Sequence, residues 1–220
     1  KGLKVVMLER GRDIKHIEGY ETATLAPWEI DHRGRVTTVA KEEYWAGVRT
    51  GYTANGEHRY LFENDSQNPY KETRGFDWIR AYHTGGRSLL WGRQSYRLNA
   101  ADFEANAKEG IAVDWPIRYS DLAPWYDYVE KFAGISGSRD GLDVLPDGQF
   151  LPPMQMNCVE KDVKGSIEKK FAGRHVIMGR AAHLTQPQPF HTELGRAACQ
   201  FRNMCMRGCP YGGYFSDENR

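Results

Sequence analysis

The chain has 220 residues with 30 basic and 29 acidic side chains, a length that allows one or two domains with a real core. The near balance of charge excludes a strongly basic nucleic-acid-binding protein. No apolar run of about eighteen residues is present, which excludes a transmembrane helix within this sequence.

Both ends of the sequence look cut. The chain opens inside a pattern, with Leu3-Lys4 leading directly into an apolar run, and it stops abruptly after Asn219-Arg220. We therefore expect an internal piece of a longer protein, and the lack of a targeting segment carries no information.

The first predicted element is a strand over Val5–Leu8, a short continuous apolar run typical of a parallel strand buried on both faces. Glu9 follows it, and an acid in this position can bind ribose hydroxyls. In a dinucleotide fold this would be the second strand, with the first strand and the Gly-rich turn upstream of the chain. The alternative for Glu9 is an ordinary surface acid.

Residues 13–69 give mixed turn and short-strand patterns, with a strand predicted over Glu57–Phe62, and they indicate no chemistry. His16, His32 and His58 lack the spacing of metal ligands, so solvated or hydrogen-bonded histidines are the expectation.

A predicted strand over Gly75–Tyr82 leads into the adjacent glycines Gly85 and Gly86. Adjacent glycines let a backbone approach a ligand closely, and the N–H groups that follow can turn onto an anion. Trp91 offers a flat ring to pack against a flat cofactor. Without further context, a polar loop beside an ordinary strand explains these residues equally well.

Two helices are predicted next. Asn99 is the expected N-cap of a helix that includes Phe103, and Ser120 is the expected N-cap of a second helix. The second helix carries an apolar stripe that we expect to lie in the core: Leu122, Trp125, Tyr126, Val129 and Phe132.

The remaining elements before the cysteines alternate between loop and regular structure. Gly134–Pro153 is a predicted loop, Val159–Phe171 a predicted amphipathic helix, and His175–Met178 a predicted strand. Thr185–Pro189 reads as a linker into the cysteine segment.

Three of the four cysteines, Cys199, Cys205 and Cys209, follow the spacing C-x5-C-x3-C-P. A ferredoxin-type segment reads C-x2-C-x2-C-x3-C-P, and replacing its second cysteine leaves this spacing. Arg202 occupies the replaced position. Three thiolates suit a three-iron, four-sulfur (3Fe-4S) cluster, whose negative charge Arg202, Arg207 and nearby N–H groups would offset.

Other uses of the cysteines remain open. A structural zinc site would need His191 or Cys158 as its fourth ligand, and neither has the usual spacing. A disulfide with an odd thiol is possible in a secreted protein, and a four-iron cluster would take Cys158 as a remote ligand. Cys158 by itself is expected to be a small buried hydrophobic residue.

Taken together, four segments resemble the glucose-methanol-choline (GMC) flavoprotein oxidoreductases. The closer resemblance is to the branch of this family that contains the flavoprotein subunits of bacterial glucose, gluconate and sorbitol dehydrogenases. The segments are Lys4–Gly11, Gly85–Ser88 with Trp91, the run Asp114-Trp115-Pro116-Ile117 with its following helix, and the cysteine segment. The resemblance covers nearly the whole chain, although residues 15–68 match poorly.

The resemblance implies an α/β fold: a Rossmann-like FAD-binding domain, incomplete here, over residues 1–105, and an α+β portion of a substrate domain over residues 106–220. It implies that FAD is bound by Glu9, Arg10, Gly85, Gly86, Arg87, Ser88, Trp91 and Gly92. It also implies that Cys199, Cys205 and Cys209 hold the iron–sulfur cluster.

Departures from the family pattern matter as well. The family's active-site histidine and its partner are expected beyond Arg220, so no catalytic residue is named in this chain. Some relatives bond flavin covalently through a histidine that precedes the position of Trp91. Leu90 stands there, so non-covalent FAD is expected, held poorly by this piece alone.

The implied activity is the oxidation of an alcohol group of a sugar or polyol by hydride transfer to flavin. A cluster would then relay electrons to an external acceptor such as a cytochrome subunit. The alternatives are an oxidase that reduces oxygen and uses its cysteines structurally, and a zinc-knuckle binding module. A periplasmic or cell-envelope location is the expectation, with the cytoplasm as the alternative.

Overall fold

The computed structural model describes residues 2–52 and 55–217. The α-helices in this part of the chain are α1 (Thr38–Glu43), α2 (Trp45–Thr50), α3 (Ala100–Glu109), α4 (Tyr119–Ala133), α5 (Cys158–Lys170) and α6 (Pro189–Glu193). Short 3-10 turns cover Asp31–Gly34, Arg59–Leu61, Gly86–Leu89 and Cys205–Arg207. None of the described helices is long and apolar enough to cross a membrane.

Helix α3 begins where the sequence predicts. The Asn99 side chain accepts hydrogen bonds from the amides of Ala101 and Asp102, and the Asp102 carboxylate accepts from the Asn99 amide at 2.8 Å. These reciprocal bonds satisfy amides that a helix start leaves without partners. Helix α5 also lies within one residue of its predicted bounds.

Helix α4 corrects two predictions. Its N-cap is Arg118 rather than Ser120, because the Asp121 carboxylate accepts from the Arg118 amide at 2.7 Å and starts the helix earlier. The predicted core stripe is largely exposed, with Trp125 at 59% and Val129 at 55%. The fully buried residues of the helix are Glu130 and Ala133 instead, and Glu130 is buried because it pairs with the buried Arg97.

The predicted strands are absent from the described residues, which contain only isolated β-bridges. Val5–Leu8 forms no strand and is exposed, with Val6 at 87% and Leu8 at 92%, so the prediction of a buried strand is wrong in this structure. A strand is stabilised by pairing with a neighbouring strand, and none of the residues that the structure describes pairs with this run.

Three other predicted segments also differ. Glu57–Phe62 forms a turn with a 3-10 segment, whereas Gly75–Tyr82 and His175–Met178 lie without ladder pairing. Pro189, placed in a linker by the sequence, is the first residue of α6. The predicted α/β fold stays a prediction.

The chain forms two compact units. The first unit contains the described residues up to Trp91, together with 201–210, Ser216 and Asp217; the second contains 92–200 and 211–215. The predicted domain boundary after residue 105 falls inside α3, within the second unit.

The first unit has one apolar core cluster. It gathers side chains from four separated segments, which removes their apolar surface from water. Its buried members are Ile14, Tyr20, Ala23, Leu61, Phe62, Leu89 and Leu90.

The second unit is organised around short backbone pairings and buried charge. Ala181 bridges both Gln94 and Ser136, and Ser136 also bridges Leu151. Arg180 is fully buried, and its guanidinium donates to the Asp147 carboxylate at 2.9 Å. A buried charge requires such a partner.

Candidate functional site

In the first unit, the end of the Glu9–Gly11 segment lies beside the residues that lead into the Gly85–Ser88 segment, and the resemblance assigns both segments to FAD. Arg12 and His83 form a parallel bridge, the Arg12 amide donates to the Tyr82 carbonyl at 3.1 Å, and the Thr84 amide donates to the Arg12 carbonyl at 2.9 Å. The pairing places the Glu9–Gly11 segment beside the residues that enter the Gly85–Gly86 turn.

Gly11 is required for this close approach. A Cβ at residue 11 would lie 2.1 Å from the His83 amide nitrogen and 2.2 Å from the Tyr82 carbonyl carbon. The Arg10 guanidinium lies 4.1 Å from the centre of the Tyr82 ring, a cation–π contact between the same two segments. The exposed Glu9 carboxylate accepts from the Gly11 amide at 2.6 Å.

The Gly85–Gly86 turn has left-handed backbone, with φ of 76° at Gly85 and 54° at Gly86. A Cβ at Gly85 would lie 2.2 Å from the Asp217 Cβ and 2.9 Å from the Ser88 Oγ. The Ser88 hydroxyl accepts from the Asp217 amide at 3.0 Å. Glycine is therefore required at residue 85 for both its conformation and its close packing.

The same turn uses some of the donors that the sequence offers to an anion. The Gly86 amide donates to the His83 carbonyl and the Ser88 amide to the Gly85 carbonyl, at 2.9 and 3.1 Å. The Arg87 guanidinium donates to the Ile79 carbonyl at 3.1 Å. A Cβ at Gly86 would meet nothing within 4 Å, so the backbone there is open to an approaching ligand.

The residues that follow the turn divide between the two units. Leu90 is buried in the core of the first unit, where its side chain is 5% exposed. Trp91 is half-buried and is the last residue of the N-terminal stretch of the first unit. Gly92 belongs to the second unit and is exposed. A Cβ at Gly92 would meet nothing within 4 Å, so the packing of this structure does not require glycine there.

His83 is a buried residue of this site to which the sequence assigned no role. Its side chain is 2% exposed, its Nδ1 lies 3.3 Å from the Thr84 carbonyl oxygen, and its Nε2 has no hydrogen-bond partner among the described residues. Burial lowers the pKa of His83, so the ring is neutral near pH 7.

The cysteines proposed as ligands also divide between the units. Cys199 belongs to the second unit, where its amide donates to the Leu184 carbonyl at 2.8 Å, and Cys205 and Cys209 belong to the first. All three are half-buried. Three thiols are chemically suited to iron, yet no group of three or more His, Cys, Asp or Glu side chains in the described ranges is arranged to hold a metal ion.

Cys158 corrects another prediction. It is exposed rather than buried, because it occupies the first turn of α5, a helix without a buried residue.

Besides His83, sequence reasoning also missed Asp217 and Tyr82 as residues of this site. Asp217 lies 129 positions from Ser88 along the chain, and no local pattern indicates that contact. Tyr82 lies next to the glycine stretch in sequence, and an aromatic residue before such a turn is the only signal that pointed to it.

No protein-family profile matches the chain. Among curated proteins, the chain is 24% identical over 151 residues to paromamine 6'-oxidase of Streptomyces fradiae, an alignment that covers 67% of the chain and 25% of that protein. It is 25% identical over 136 residues to the fructose dehydrogenase large subunit of Gluconobacter japonicus, covering 60% of the chain and 24% of that protein.

A third relative aligns with almost the whole chain. The 6'''-hydroxyparomomycin C oxidase of Streptomyces lividus is 22% identical over 224 residues, which cover 96% of the chain and 38% of that protein. The chain thus spans about a quarter to two fifths of the length of these relatives. By name, all three relatives are oxidoreductases, and the chain is distantly similar to this class.

Proposed function

We propose that this chain contributes part of the FAD site of an oxidoreductase of the glucose-methanol-choline type that acts on an alcohol group of a sugar-like substrate. The observation that carries the proposal is the pairing of Arg12 with His83, which brings Glu9–Gly11 beside Tyr82–Thr84, the residues that lead into the Gly85–Gly86 turn. Distant similarity to an oxidase of paromamine and a dehydrogenase of fructose supports an alcohol-bearing substrate.

Glu9 and Gly86 have different roles in the proposed FAD site. The exposed Glu9 carboxylate would accept hydrogen bonds from ribose hydroxyls, and the open backbone at Gly86 would lie against the diphosphate. When bound, the flavin supplies an acceptor for hydride from the alcohol carbon. Leu90 leaves no imidazole at the position where some members of the glucose-methanol-choline family attach flavin, so the FAD would be non-covalent.

We also propose an iron–sulfur cluster held by Cys199, Cys205 and Cys209. The thiol donor set and its spacing support this proposal, although the described residues assemble no three-ligand group. We derive no step of the reaction through the cluster. Iron and acid-labile sulfide in the anaerobically purified protein would support it, and zinc without either would favour the zinc-knuckle alternative.

The test of the activity uses the protein expressed from its complete reading frame. Sugars, polyols and amino sugars are added anaerobically while the visible absorbance band of oxidised flavin is followed. The proposal predicts that at least one of these alcohols bleaches the band. No bleaching by any of them would contradict an activity on sugar-like alcohols.

A second candidate is an oxidase, favoured by two of the relatives being named oxidases. Admitting oxygen to the bleached protein distinguishes an oxidase from a dehydrogenase. Rapid recovery of the band with stoichiometric hydrogen peroxide indicates an oxidase. Slow recovery in oxygen, with fast recovery in an artificial one-electron acceptor, indicates a dehydrogenase.

A further inference from the structure

Arg207 stands between Cys205 and Cys209, and its side chain is buried in the first unit against Glu57. Its Nη2 lies 3.0 Å from Glu57 Oε1, and its Nε donates to Glu57 Oε2 at 3.3 Å. Two donors on two oxygens of one carboxylate fix the guanidinium in orientation as well as in position. The remaining Nη1 donates to the Leu25 carbonyl at 3.1 Å.

These contacts indicate a role for the Arg207 side chain that differs from the one expected from the sequence. Its sequence position suggested a charge that offsets a cluster, whereas its charge is paired with Glu57. Arg202, which replaces a ferredoxin-type cysteine in the spacing, likewise donates to the Ala23 carbonyl at 3.1 Å. Both arginines therefore attach the loop that carries Cys205 and Cys209, residues 201–210, to the segment 23–25.

The main chain of the same loop is held independently. The Tyr60 hydroxyl donates to the Arg207 carbonyl at 2.7 Å. A Cβ at Gly208 would lie 2.5 Å from the Tyr20 ring, so the backbone next to Cys209 packs directly on that ring. Burial raises the pKa of Tyr60, which keeps its hydroxyl protonated and able to donate at any physiological pH.

We propose that Glu57 and Tyr60 are positioning residues for the Cys205 and Cys209 thiols, and that they act through the side chain and the carbonyl of Arg207. The identity of the cluster as the group these thiols hold rests on the proposed function. The positioning itself is a property of the first unit and is measurable without any metal.

The first experiment measures alkylation of each cysteine by iodoacetamide, read by mass spectrometry, in chelator-treated complete protein. Glu57→Gln removes the charge of the carboxylate, and Tyr60→Phe removes only the donor to Arg207. Each variant should raise alkylation at Cys205 and Cys209 about tenfold, the scale on which a lost hydrogen bond to a charged or buried partner eases local opening. The exposed Cys158 is the internal reference and should not change.

The control variant is Glu104→Gln, which breaks an exposed ion pair with Lys108 in the second unit. It should leave alkylation at Cys205 and Cys209 at the wild-type rate. Wild-type rates in both Glu57→Gln and Tyr60→Phe would overturn the positioning proposal. Should Glu57→Gln fail to fold, Tyr60→Phe alone decides it.

The second experiment measures iron, sulfide and the low-temperature paramagnetic spectrum of the loaded protein. Glu57→Gln should lower the iron content or change the spectrum, because its thiols are displaced. If the wild-type protein contains no iron and no sulfide, only the proposed cluster is contradicted. The alkylation experiment still decides whether Glu57 and Tyr60 position the thiols. An unchanged iron content and spectrum in Glu57→Gln would count against positioning.

Discussion

Gly11 shows at the scale of one residue how a backbone contact defines the candidate site. It has no room for a side chain, because the Tyr82–His83 backbone occupies the place of its Cβ. An acid such as Glu9 after an apolar run and a glycine turn such as Gly85–Gly86 are each common in proteins. The contact of Gly11 with the Tyr82–His83 backbone is what brings them into one candidate site.

Gly11→Ala is expected to lower the free energy of unfolding by about 2 kcal/mol, because a Cβ there must push the two backbones apart. It should also lower FAD occupancy in the complete protein. Urea denaturation and flavin content measure the two effects. Gly75→Ala is the control, since a Cβ at Gly75 meets nothing within 4 Å. Equal stability of the two variants would show that the Gly11 contact is not formed.

Helix α4 shows at the scale of an element how one buried ion pair sets the orientation of a helix. The Arg97 guanidinium donates to both oxygens of Glu130, at 2.8 and 2.6 Å, and Glu130 also accepts from the Gln149 amide at 2.8 Å. Turning Glu130 inward turns Trp125 and Val129 outward. A pattern based on hydrophobicity alone therefore misassigns the buried side.

Glu130→Ala should destabilise the protein by about 3–5 kcal/mol, because it leaves the Arg97 charge buried without its main partner. The exposed pair of Glu104 with Lys108 provides the comparison, and Glu104→Ala should destabilise the protein far less, because water screens an exposed ion pair. Denaturant unfolding of the two variants measures the difference. A loss below 1 kcal/mol for Glu130→Ala would contradict the buried pairing.

The N-cap of α3 gives a smaller expected effect. Asn99→Ala should cost about 1 kcal/mol, because it removes the acceptor for two amides of the first turn. Asn99→Asp keeps that acceptor and should stay close to wild type. A cost of Asn99→Asp equal to that of Asn99→Ala would mean that the cap does not stabilise the helix.

Buried neutral histidines make the whole molecule sensitive to acid. Burial lowers the pKa of His183 to about 4, and it also lowers the pKa of His58, His83 and His191. The folded state therefore resists protonation more than the unfolded chain does. The stability that depends on these rings is complete above a pH of about 6.5 and is lost as the pH falls towards 4.

We expect the free energy of unfolding to decline by about 2 kcal/mol or more between pH 6.5 and 4, and His183→Asn to reduce that decline. Denaturation by urea across this range is the measurement. Replacing the exposed His175 by Asn should leave the pH dependence as it is in wild type. A stability independent of pH over this range would contradict the burial of these rings.

The parts of the structure that the sequence predicted correctly are the local ones. Asn99 and Asp102 lie three residues apart and form their capping bonds within one turn, so the pattern alone predicts α3. Arg97 with Glu130, and Glu57 with Arg207, pair over 33 and 150 positions, and nothing local indicates either pair. The burial of Val5–Leu8 failed as a prediction for a related reason, since apolar character predicts burial only where a partner exists.

The most direct test of the central claim is the flavin content of the complete purified protein. Acid denaturation followed by chromatography should release about one FAD per chain, with no flavin left on the protein because no imidazole stands at Leu90. Glu9→Gln should lower that occupancy, because the ribose would lose its charged acceptor. Protein without FAD, or flavin that stays attached after denaturation, would contradict the assignment.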